Sequence, residues 1–338
     1  MQAVPLPNFD RRFINGQEAF ADAVVRLEKA EGIGLDVEMG QRIERLPGGV
    51  TRGKQLLALI QIAGNGMSLV VDPLRVTDLS LLQPMLSSES IKVVLGGATD
   101  IQLLEERKLM VHNLVDLAEV AISVFGHKEE GMRALADRAL GIQIDKSIRR
   151  EDWLRRPINP SMLSYAHRDA ELTLLLYQWF QDHHPEAVTA HTRKHYHPTL
   201  PADIPEWIRR CLTKRVDVDR LLKELKIDPA KEADRLADDL RKVWPHDFSP
   251  SQQRRLIRIT GDLRLKALMP EVLPYAKSPS SVFRAVAARA LGRMGSEAAR
   301  PVLDALLKDD IADVVAAAQM GIRDLNAGME TPQVVSAK

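Results

Sequence analysis

The chain has 338 residues, of which 45% are hydrophobic and 28% are charged, and its formal net charge is +1. The apolar fraction is sufficient for real hydrophobic cores. Because a single core usually stops growing below this length, we expect two domains. The nearly neutral charge lacks the strongly basic signature of a nucleic-acid-binding domain and by itself indicates no class of partner.

Three further features concern the cellular compartment. Cys211 is the single cysteine, so an intramolecular disulfide is excluded. A single cysteine is typical of a protein in a reducing cytoplasm. We interpret Cys211 as a small buried hydrophobic residue. No apolar run is long enough to span a bilayer. The segment Met1–Pro7 lacks the basic-then-apolar layout of a signal peptide. We therefore expect a cytoplasmic protein without membrane contact.

The first half of the chain alternates predicted helices and strands. An amphipathic helix over 17–30 precedes a strand at 33–38. A break at 45–51 leads to a second strand near 56–62, and Asn65-Gly66 is typical of a hairpin turn into a third strand at 69–71. Helices are predicted near 79–86, 99–108, 114–124 and 132–140, around a strand at 92–95. We assign these elements to an α/β domain over residues 1–183.

Acidic side chains mark two of these elements. Asp36 and Glu38 are two positions apart on a strand, so their carboxylates lie on one face. Tyr165 and Asp169 are four positions apart in an amphipathic stretch that runs to Phe180, so they share a helix face. Carboxylates that converge from a strand and a helix would form a hard-oxygen site for Mg²⁺ or Mn²⁺, a kind of site that hydrolyses phosphodiesters. The alternatives are solvated acids at a strand end and a core tyrosine with a satisfied hydroxyl.

The segment 33–180 resembles the exonuclease domain of ribonuclease D, in the DEDDy branch of the 3′→5′ exonucleases. Three motifs carry the resemblance in the right order: Asp36-Val37-Glu38, Lys92 to Asp100, and Tyr165 to Asp169. Supporting matches lie at 57–62 and 70–73, and at Asp145-Lys146-Ser147, Asp152-Trp153 and Arg156-Pro157. A lone D-x-E would carry little weight, whereas this order and spacing are specific. The resemblance implies a ribonuclease-H-like α/β fold, with a mixed sheet flanked by helices.

The resemblance also implies a role for each motif residue. Asp36 would bridge two divalent ions, Glu38 and Asp169 would hold the first ion, and Asp100 would serve the second, largely through water. Tyr165 would orient the attacking water and help to remove its proton. The implied reaction releases nucleoside 5′-monophosphates from a free 3′ end of single-stranded nucleic acid, with Mg²⁺ or Mn²⁺ as cofactor.

One position departs from the family pattern. The family often has a histidine five positions before the second-motif acid, and Leu95 stands there in this chain. Because Asp100 itself is retained, we expect the change to affect substrate contact or local polarity near the second ion rather than metal binding.

Residues 184–204 differ in composition and in apolar periodicity from the segments on either side. Histidines and prolines gather in or beside this segment with little apolar periodicity: His183, His184, His191, His195, His197, Pro185, Pro198, Pro201 and Pro205. Because no cysteine or carboxylate framework accompanies the histidines, an interdomain linker is favoured over a metal site.

Residues 205–327 carry a helical pattern without a strand candidate. Segment 267–277 recurs as 298–308, and 283–292 recurs weakly as 314–322, with a period of 31 residues. Each unit is predicted to form a helix, a turn and a second helix, and resembles a HEAT repeat. Gly292 and Gly295 are predicted to end a helix. Weaker helices at 206–212, 219–225, 232–243 and 252–259 extend this HEAT-like α-helical domain into a short solenoid, and we expect residues 328–338 to form a disordered tail.

The helical half departs from ribonuclease D, whose exonuclease domain is followed by small helical domains of the HRDC kind. Solenoids generally present extended surfaces to a protein partner or to nucleic acid. Basic candidates for such contacts are Arg209, Arg210, Lys214, Arg215, Arg254 and Arg255, although such residues are more often solvated helix faces.

The sequence is compatible with three functions. They are an active exoribonuclease, a DNA 3′→5′ exonuclease of the same fold, and an inactive nucleic-acid-binding or scaffold protein. The family match favours RNA over DNA. Activity is favoured because inactive relatives usually lose one or more of the acids, whereas this chain keeps all four.

Overall fold

The computed structural model describes residues 7–45, 51–126, 131–144, 152–195, 200, 203–213, 216–244, 246 and 248–330. The chain divides into two compact units, Met1–Ala121 with Glu129–Tyr196, and Ile122–Lys128 with His197–Lys338. Some predicted features lie outside the described residues, namely most of the break at 45–51, the motif segment 145–147, His197, Pro198, Pro201, Lys214, Arg215 and the tail beyond Glu330.

The first unit is built on one mixed β-sheet. Its strands are β1 (Asp10–Ile14), β2 (Gly32–Arg45), β3 (Thr51–Gly64), β4 (Met67–Val71), β5 (Ile91–Val94), β6 (His112–Asp116) and β7 (Thr192–His195). Among the described residues they run in the order β1-β4-β3-β2-β5-β6-β7. β2, β3 and β4 pair antiparallel, whereas β5 lies parallel to both β2 and β6. The expected sheet flanked by helices is confirmed.

Helices cover both faces of this sheet. They are α1 (Gln17–Leu27), α2 (Gln83–Leu86), α3 (Ala98–Glu106), α4 (Leu117–Phe125), α5 (Met132–Leu135), α6 (Pro160–His183) and α7 (Pro185–His191). Helix α6 begins where Asn159 accepts a hydrogen bond from the Ser161 amide and Pro160 occupies the first turn, which is a favourable helix start. Side chains of α6, including Met162 and Ala166, pack against Leu59 and Val70 of the sheet.

Three of the described strands, β1, β6 and β7, were not predicted from the sequence. Strand β1 pairs in parallel with β4 although its sequence shows little apolar alternation. Residues 114–116, predicted as the start of a helix, belong to β6, since they pair with β5 and β7, and the helix begins at Leu117.

Residues 185–195 form α7 and β7 rather than the predicted linker. Strand β7 pairs with β6, and the side chains of His191 and Arg193 are buried. The linker prediction depended on the weak apolar periodicity of this segment. It is wrong for these residues, because backbone pairing and buried polar side chains hold them in the fold. The first compact unit accordingly extends to Tyr196.

The second unit is helical throughout its described residues. Its helices are α8 (Glu206–Thr213), α9 (Val218–Glu224), α10 (Ala233–Val243), α11 (Pro250–Asp262), α12 (Met269–Val272), α13 (Ser281–Met294), α14 (Arg300–Leu306) and α15 (Ala312–Glu330). Helices α11, α13 and α15 pack in succession. This arrangement agrees with the predicted solenoid of helix pairs.

Two glycines of α13 have different functions in the fold. Gly295 ends the helix in the left-handed conformation at φ 64°, as predicted. Gly292 lies inside the helix, so the prediction that it ends the helix is wrong. A Cβ atom at Gly292 would lie 2.2 Å from the carbonyl oxygen of Gly321, so the missing side chain lets α13 and α15 touch.

Cys211 is buried in the second unit, as predicted, and burial raises the pKa of its thiol to about 11. Among the described residues, none of the helices combines the length and the hydropathy that crossing a bilayer requires.

Candidate metal centre

Strand β2 carries the first two acids. Asp36 and Glu38 alternate with the buried Leu35 and Val37, so both carboxylates point to the sheet face that α6 covers. The register of β2 against β3 shifts between Glu38 and Met39. The shift leaves Ala58 of β3 without a paired residue beside the second acid, and irregularities of this kind are common beside functional sites.

Helix α6 supplies the third acid through a close approach to β2. A Cβ atom at Gly34 would lie 2.3 Å from the carbonyl oxygen of Ala170, so only glycine allows strand and helix to come this close. Asp169 precedes Ala170, and Asp36 is two residues beyond Gly34. The same contact therefore brings the carboxylates of the two elements together.

Asp36, Glu38 and Asp169 form one cluster, in which an oxygen of each carboxylate lies within 4.8 Å of the others. All three side chains are half-buried. Burial raises the pKa of Asp36 well above its ordinary value, and the charges of Asp169, Asp100 and Glu38 raise that pKa further. Crowded, partly desolvated carboxylates of this kind are stabilised by a divalent cation, and the all-oxygen donor set fits Mg²⁺ or Mn²⁺.

Asp100 approaches the cluster from a different element. It lies in the first turn of α3, outside the group of three but near enough for its charge to act on Asp36. Burial and the charge of Asp116 raise the pKa of Asp100 to about 6. The second motif is therefore close to the first and third. The ionised form of Asp100 is unfavourable here unless a cation is bound nearby.

Asp116 is a buried acid behind the second motif that the sequence analysis did not single out. Its Oδ1 accepts hydrogen bonds from the Gly96 amide at 2.7 Å and the Ala118 amide at 3.0 Å. These bonds hold the loop between β5 and α3 in place, and with it Asp100. An isolated aspartate at the end of a strand gives no sequence signal for this function.

Gln61 is a second residue that sequence reasoning missed. It lies opposite Asp36 in the register of β2 and β3 and is fully buried. With its amide oriented to satisfy both neighbours, Gln61 donates to Asp36 Oδ2 at 2.6 Å and to the Ala166 carbonyl at 3.2 Å. A lone glutamine within the apolar run 57–62 was the available signal.

Tyr165 lies one helical turn before Asp169 on α6, as the spacing predicted. Its ring packs beside that of Trp153, with ring centroids 6.1 Å apart. Arg156 fixes the segment that carries Trp153, because it donates two hydrogen bonds to the buried Asp72, at 2.7 and 2.8 Å, and one to the Trp153 carbonyl. The catalytic function of Tyr165 stays a prediction.

Two polar contacts anchor α6 beside the acids. His167 is buried and its Nδ1 forms a 2.8 Å hydrogen bond with the Ser68 hydroxyl. Burial lowers the pKa of His167 to about 4, so the ring is neutral at physiological pH. One turn on, Glu171 accepts two hydrogen bonds from Arg11 of β1, at 2.6 and 2.7 Å.

Leu95 occupies the position of the frequent family histidine. It directly follows β5 and is half-buried. An aliphatic side chain offers no hydrogen-bonding group at this point.

The sequence profile of a family described as 3'-5' exonuclease matches residues 12–184, which are just over half of the chain. The chain belongs to the 3'-5' exonuclease family. A profile of HEAT repeats matches residues 237–323, in the second unit. The two matches fall on the parts of the chain whose motifs and repeats carry the same resemblances.

Two curated proteins are similar to part of the chain. Protein RRP6-like 3 of Arabidopsis thaliana is 32% identical over 122 residues, which are 35% of this chain and 14% of that protein. Ribonuclease D of Sphingobium indicum is 27% identical over 168 residues, which are 48% of this chain and 41% of that protein. The chain therefore spans less than half of the length of these curated relatives.

The crystal structure of Escherichia coli RNase D, an exoribonuclease involved in structured RNA processing, is also similar. It shares 18% sequence identity with the chain at a TM-score of 0.47, over 97% of this chain and 77% of that one.

Proposed function

We propose that the chain is a 3′→5′ exoribonuclease that releases nucleoside 5′-monophosphates from the free 3′ end of single-stranded RNA. The observation that carries the proposal is the convergence of Asp36, Glu38 and Asp169 within a domain of the 3'-5' exonuclease family. Relatives named ribonuclease D support RNA as the substrate rather than DNA.

We assign two divalent cations, Mg²⁺ or Mn²⁺, to the acid cluster. Asp36, Glu38 and Asp169 would hold them, together with Asp100. Such cations, when bound, neutralise charge on the phosphodiester and lower the pKa of an attacking water. The raised pKa values of Asp36 and Asp100 support this assignment, since a cation relieves the repulsion that raises them.

Residues beside the acids would prepare the site for this chemistry. The Tyr165 hydroxyl would accept a hydrogen bond from the attacking water and orient it towards the phosphorus. Gln61 donates a hydrogen bond to Asp36 Oδ2 and so fixes the rotamer of this carboxylate. Asp116 holds the loop that carries Asp100. These groups would set the geometry before substrate binds, which is where most of the rate enhancement of phosphoryl transfer originates.

Substrate polarity tests the proposal. The full-length chain is incubated with Mn²⁺ and one of four substrates. These are single-stranded RNA labelled at its 5′ end, the same RNA carrying a 3′-phosphate, a circular form of the RNA, and DNA of the same sequence. We expect a ladder of shortening labelled fragments from the first RNA, little degradation of the second, and slower shortening of the DNA. Cleavage of circular RNA would indicate an endonuclease, faster shortening of DNA would indicate a DNA exonuclease, and intact RNA in every lane would indicate a binding or scaffold protein.

A further inference from the structure

Strand β7 places an arginine against an acid that follows β6. Arg193 is buried, and its Nη2 donates a hydrogen bond to Glu119 Oε2 at 2.5 Å. Glu119 lies in the first turn of α4, which begins directly after β6. His191 Nδ1 lies 3.5 Å from the same oxygen, so α7 and β7 both reach this carboxylate. The segment 185–195 is therefore connected by polar contacts to the start of α4.

Asp116, the last residue of β6, is a second acid on which the arginine acts. Burial raises the pKa of Asp116, and hydrogen bonds from the Gly96 and Ala118 amides lower it. Among the neighbouring charges, Glu119 raises this pKa and Arg193 lowers it. The guanidinium is therefore close enough to stabilise the charges of both carboxylates, of which one is a direct partner and the other is buried beside it.

Asp116 connects the arginine to the second acid motif. Its Oδ1 accepts a hydrogen bond from the Gly96 amide at 2.7 Å, and Gly96 has a left-handed φ of 70°. A Cβ atom at Gly97 would lie 2.6 Å from the Val94 Cβ, so the loop packs tightly on the end of β5. Helix α3 begins at the next residue and carries Asp100 in its first turn. The position of Asp100 thus depends on a loop that Asp116 holds.

An ion pair that only anchors a strand requires a single acid. Two other arginines of this unit are bound in that way, since Arg11 donates twice to Glu171 and Arg156 donates twice to Asp72. Arg193 differs because it acts on two carboxylates, and one of these holds the loop of the second motif. Removal of one member of a buried group of charges leaves the others uncompensated, which is unfavourable.

We propose that Arg193 is a positioning residue for the second acid motif, which acts through Glu119 and Asp116 on the loop before Asp100. The consequence for catalysis rests on the proposed function. Without Arg193, two carboxylates would lie close together without their cation, and Asp116 would turn away from the Gly96 amide. The loop would then hold Asp100 less firmly. Groups that orient metal ligands from behind contribute about 10- to 100-fold to metal affinity or activity.

Hydrogen exchange of the full-length chain in EDTA tests the structural link without any nuclease activity. In Arg193→Met we expect the Gly96 and Ala118 amides to exchange about 10-fold faster than in the wild type, because hydrogen bonds to a charged group are weakened. The measurement is mass spectrometry of short peptides that contain these amides. Val188→Ala is the matched control, since it removes buried apolar contacts from the same segment without removing a charge, and should leave both amides at their wild-type rates.

Two further variants separate charge from packing. Glu119→Gln/Arg193→Met also removes the charge that repels Asp116, so the exchange rates should return most of the way to the wild-type values. Arg193→Lys keeps the cation but not the planar guanidinium, and should give rates between those of the wild type and Arg193→Met. It provides the same comparison with Val188→Ala if Arg193→Met does not fold. Circular dichroism reports whether each variant is folded.

The Mn²⁺ dependence of RNA shortening tests the consequence for the site. We expect the half-saturating Mn²⁺ concentration of Arg193→Met to be about 10-fold higher than that of the wild type, with an unchanged KM for RNA. A loss of stability alone would lower the amount of active protein and would leave the half-saturating concentration where it was. Val188→Ala should keep the wild-type concentration.

Wild-type exchange of the Gly96 and Ala118 amides in Arg193→Met, or in Arg193→Lys if the first variant is unfolded, would overturn the proposal. So would equally fast exchange in Val188→Ala, or a double variant that exchanges as fast as Arg193→Met, because a contribution to packing alone predicts both results. Wild-type protein that leaves RNA intact would contradict the proposed function, whereas the exchange rates in EDTA would still decide whether Arg193 holds this loop.

Discussion

At Asp36, burial and three neighbouring carboxylates act in the same direction, since each raises the pKa of this acid. Asp36 is also held by Gln61 from the opposite strand. The ionised form of Asp36 is therefore unfavourable in the absence of a cation. This is typical of a carboxylate that binds a metal ion.

The sequence predicted the acids but not the groups that hold them. Alternation along a strand was enough to place Asp36 and Glu38 on one face, and helical spacing was enough for Tyr165 and Asp169. Gln61 and Asp116 act through contacts between segments distant in sequence. Such contacts depend on strand register and loop geometry, which local patterns do not determine.

Replacement of Tyr165 by Phe separates its hydroxyl from its packing. The ring and its contact with Trp153 are kept, whereas the hydroxyl to which we assign the orientation of water is lost. We expect kcat to fall by about 10²-fold with little change in KM. Tyr177→Phe is the matched control on the same helix, since that hydroxyl contacts Gln181 instead of the acids. A wild-type kcat for Tyr165→Phe would assign Tyr165 to packing alone.

Lys92 gives the first unit a pH dependence in the alkaline range. It is fully buried, Nζ donates to the Ser88 carbonyl at 2.7 Å, and burial lowers its pKa from 10.5 to about 8. Between these two values the unfolded chain binds more protons, so the free energy of unfolding should rise with pH, by up to about 3 kcal/mol. Urea unfolding at several pH values should show this rise in the wild type and not in Lys92→Met. The same pH dependence in both proteins would contradict the assignment.

At the scale of elements, the contact between β2 and α6 determines whether the site forms. Gly34→Ala places a Cβ atom against the Ala170 carbonyl, so the helix must move away from the strand. We expect a loss of about 1–3 kcal/mol in stability and weaker Mn²⁺ binding by calorimetry. Gly16→Ala is the control, because nothing lies within 4 Å of a Cβ atom there. Unchanged stability and metal affinity in Gly34→Ala would show that the close approach is not needed.

The elements that the sequence predicted well are those with clear periodicity. Helices α10 and α11 agree with the predictions within a few residues, because their buried positions repeat at helical spacing. Strand β7 carries Thr192, Arg193, Lys194 and His195, and no local signal of that kind exists. Its structure depends on pairing with β6.

At the scale of the whole molecule, the position of β7 determines where a truncated first unit has to end. A chain that ends at Asp182 lacks α7 and β7, with buried Ala187, Val188 and His191, and leaves the edge of β6 unpaired. We expect residues 1–196 to melt at a higher temperature than residues 1–182, and to aggregate less. Equal melting temperatures would mean that α7 and β7 contribute nothing to the stability of the sheet.

The most direct test of the central claim, that the acid cluster is the catalytic centre, is the Mn²⁺-dependent rate of RNA shortening by Asp36→Asn. We expect a loss of at least about 10³-fold, because the variant removes a charge from the cation site while keeping its shape. The metal-free variant should melt at or above the wild-type temperature at pH 7, since repulsion within the cluster falls. Asp22→Asn, on the exposed face of α1, is the control and should keep the wild-type rate. A rate for Asp36→Asn close to that of the wild type would contradict the account.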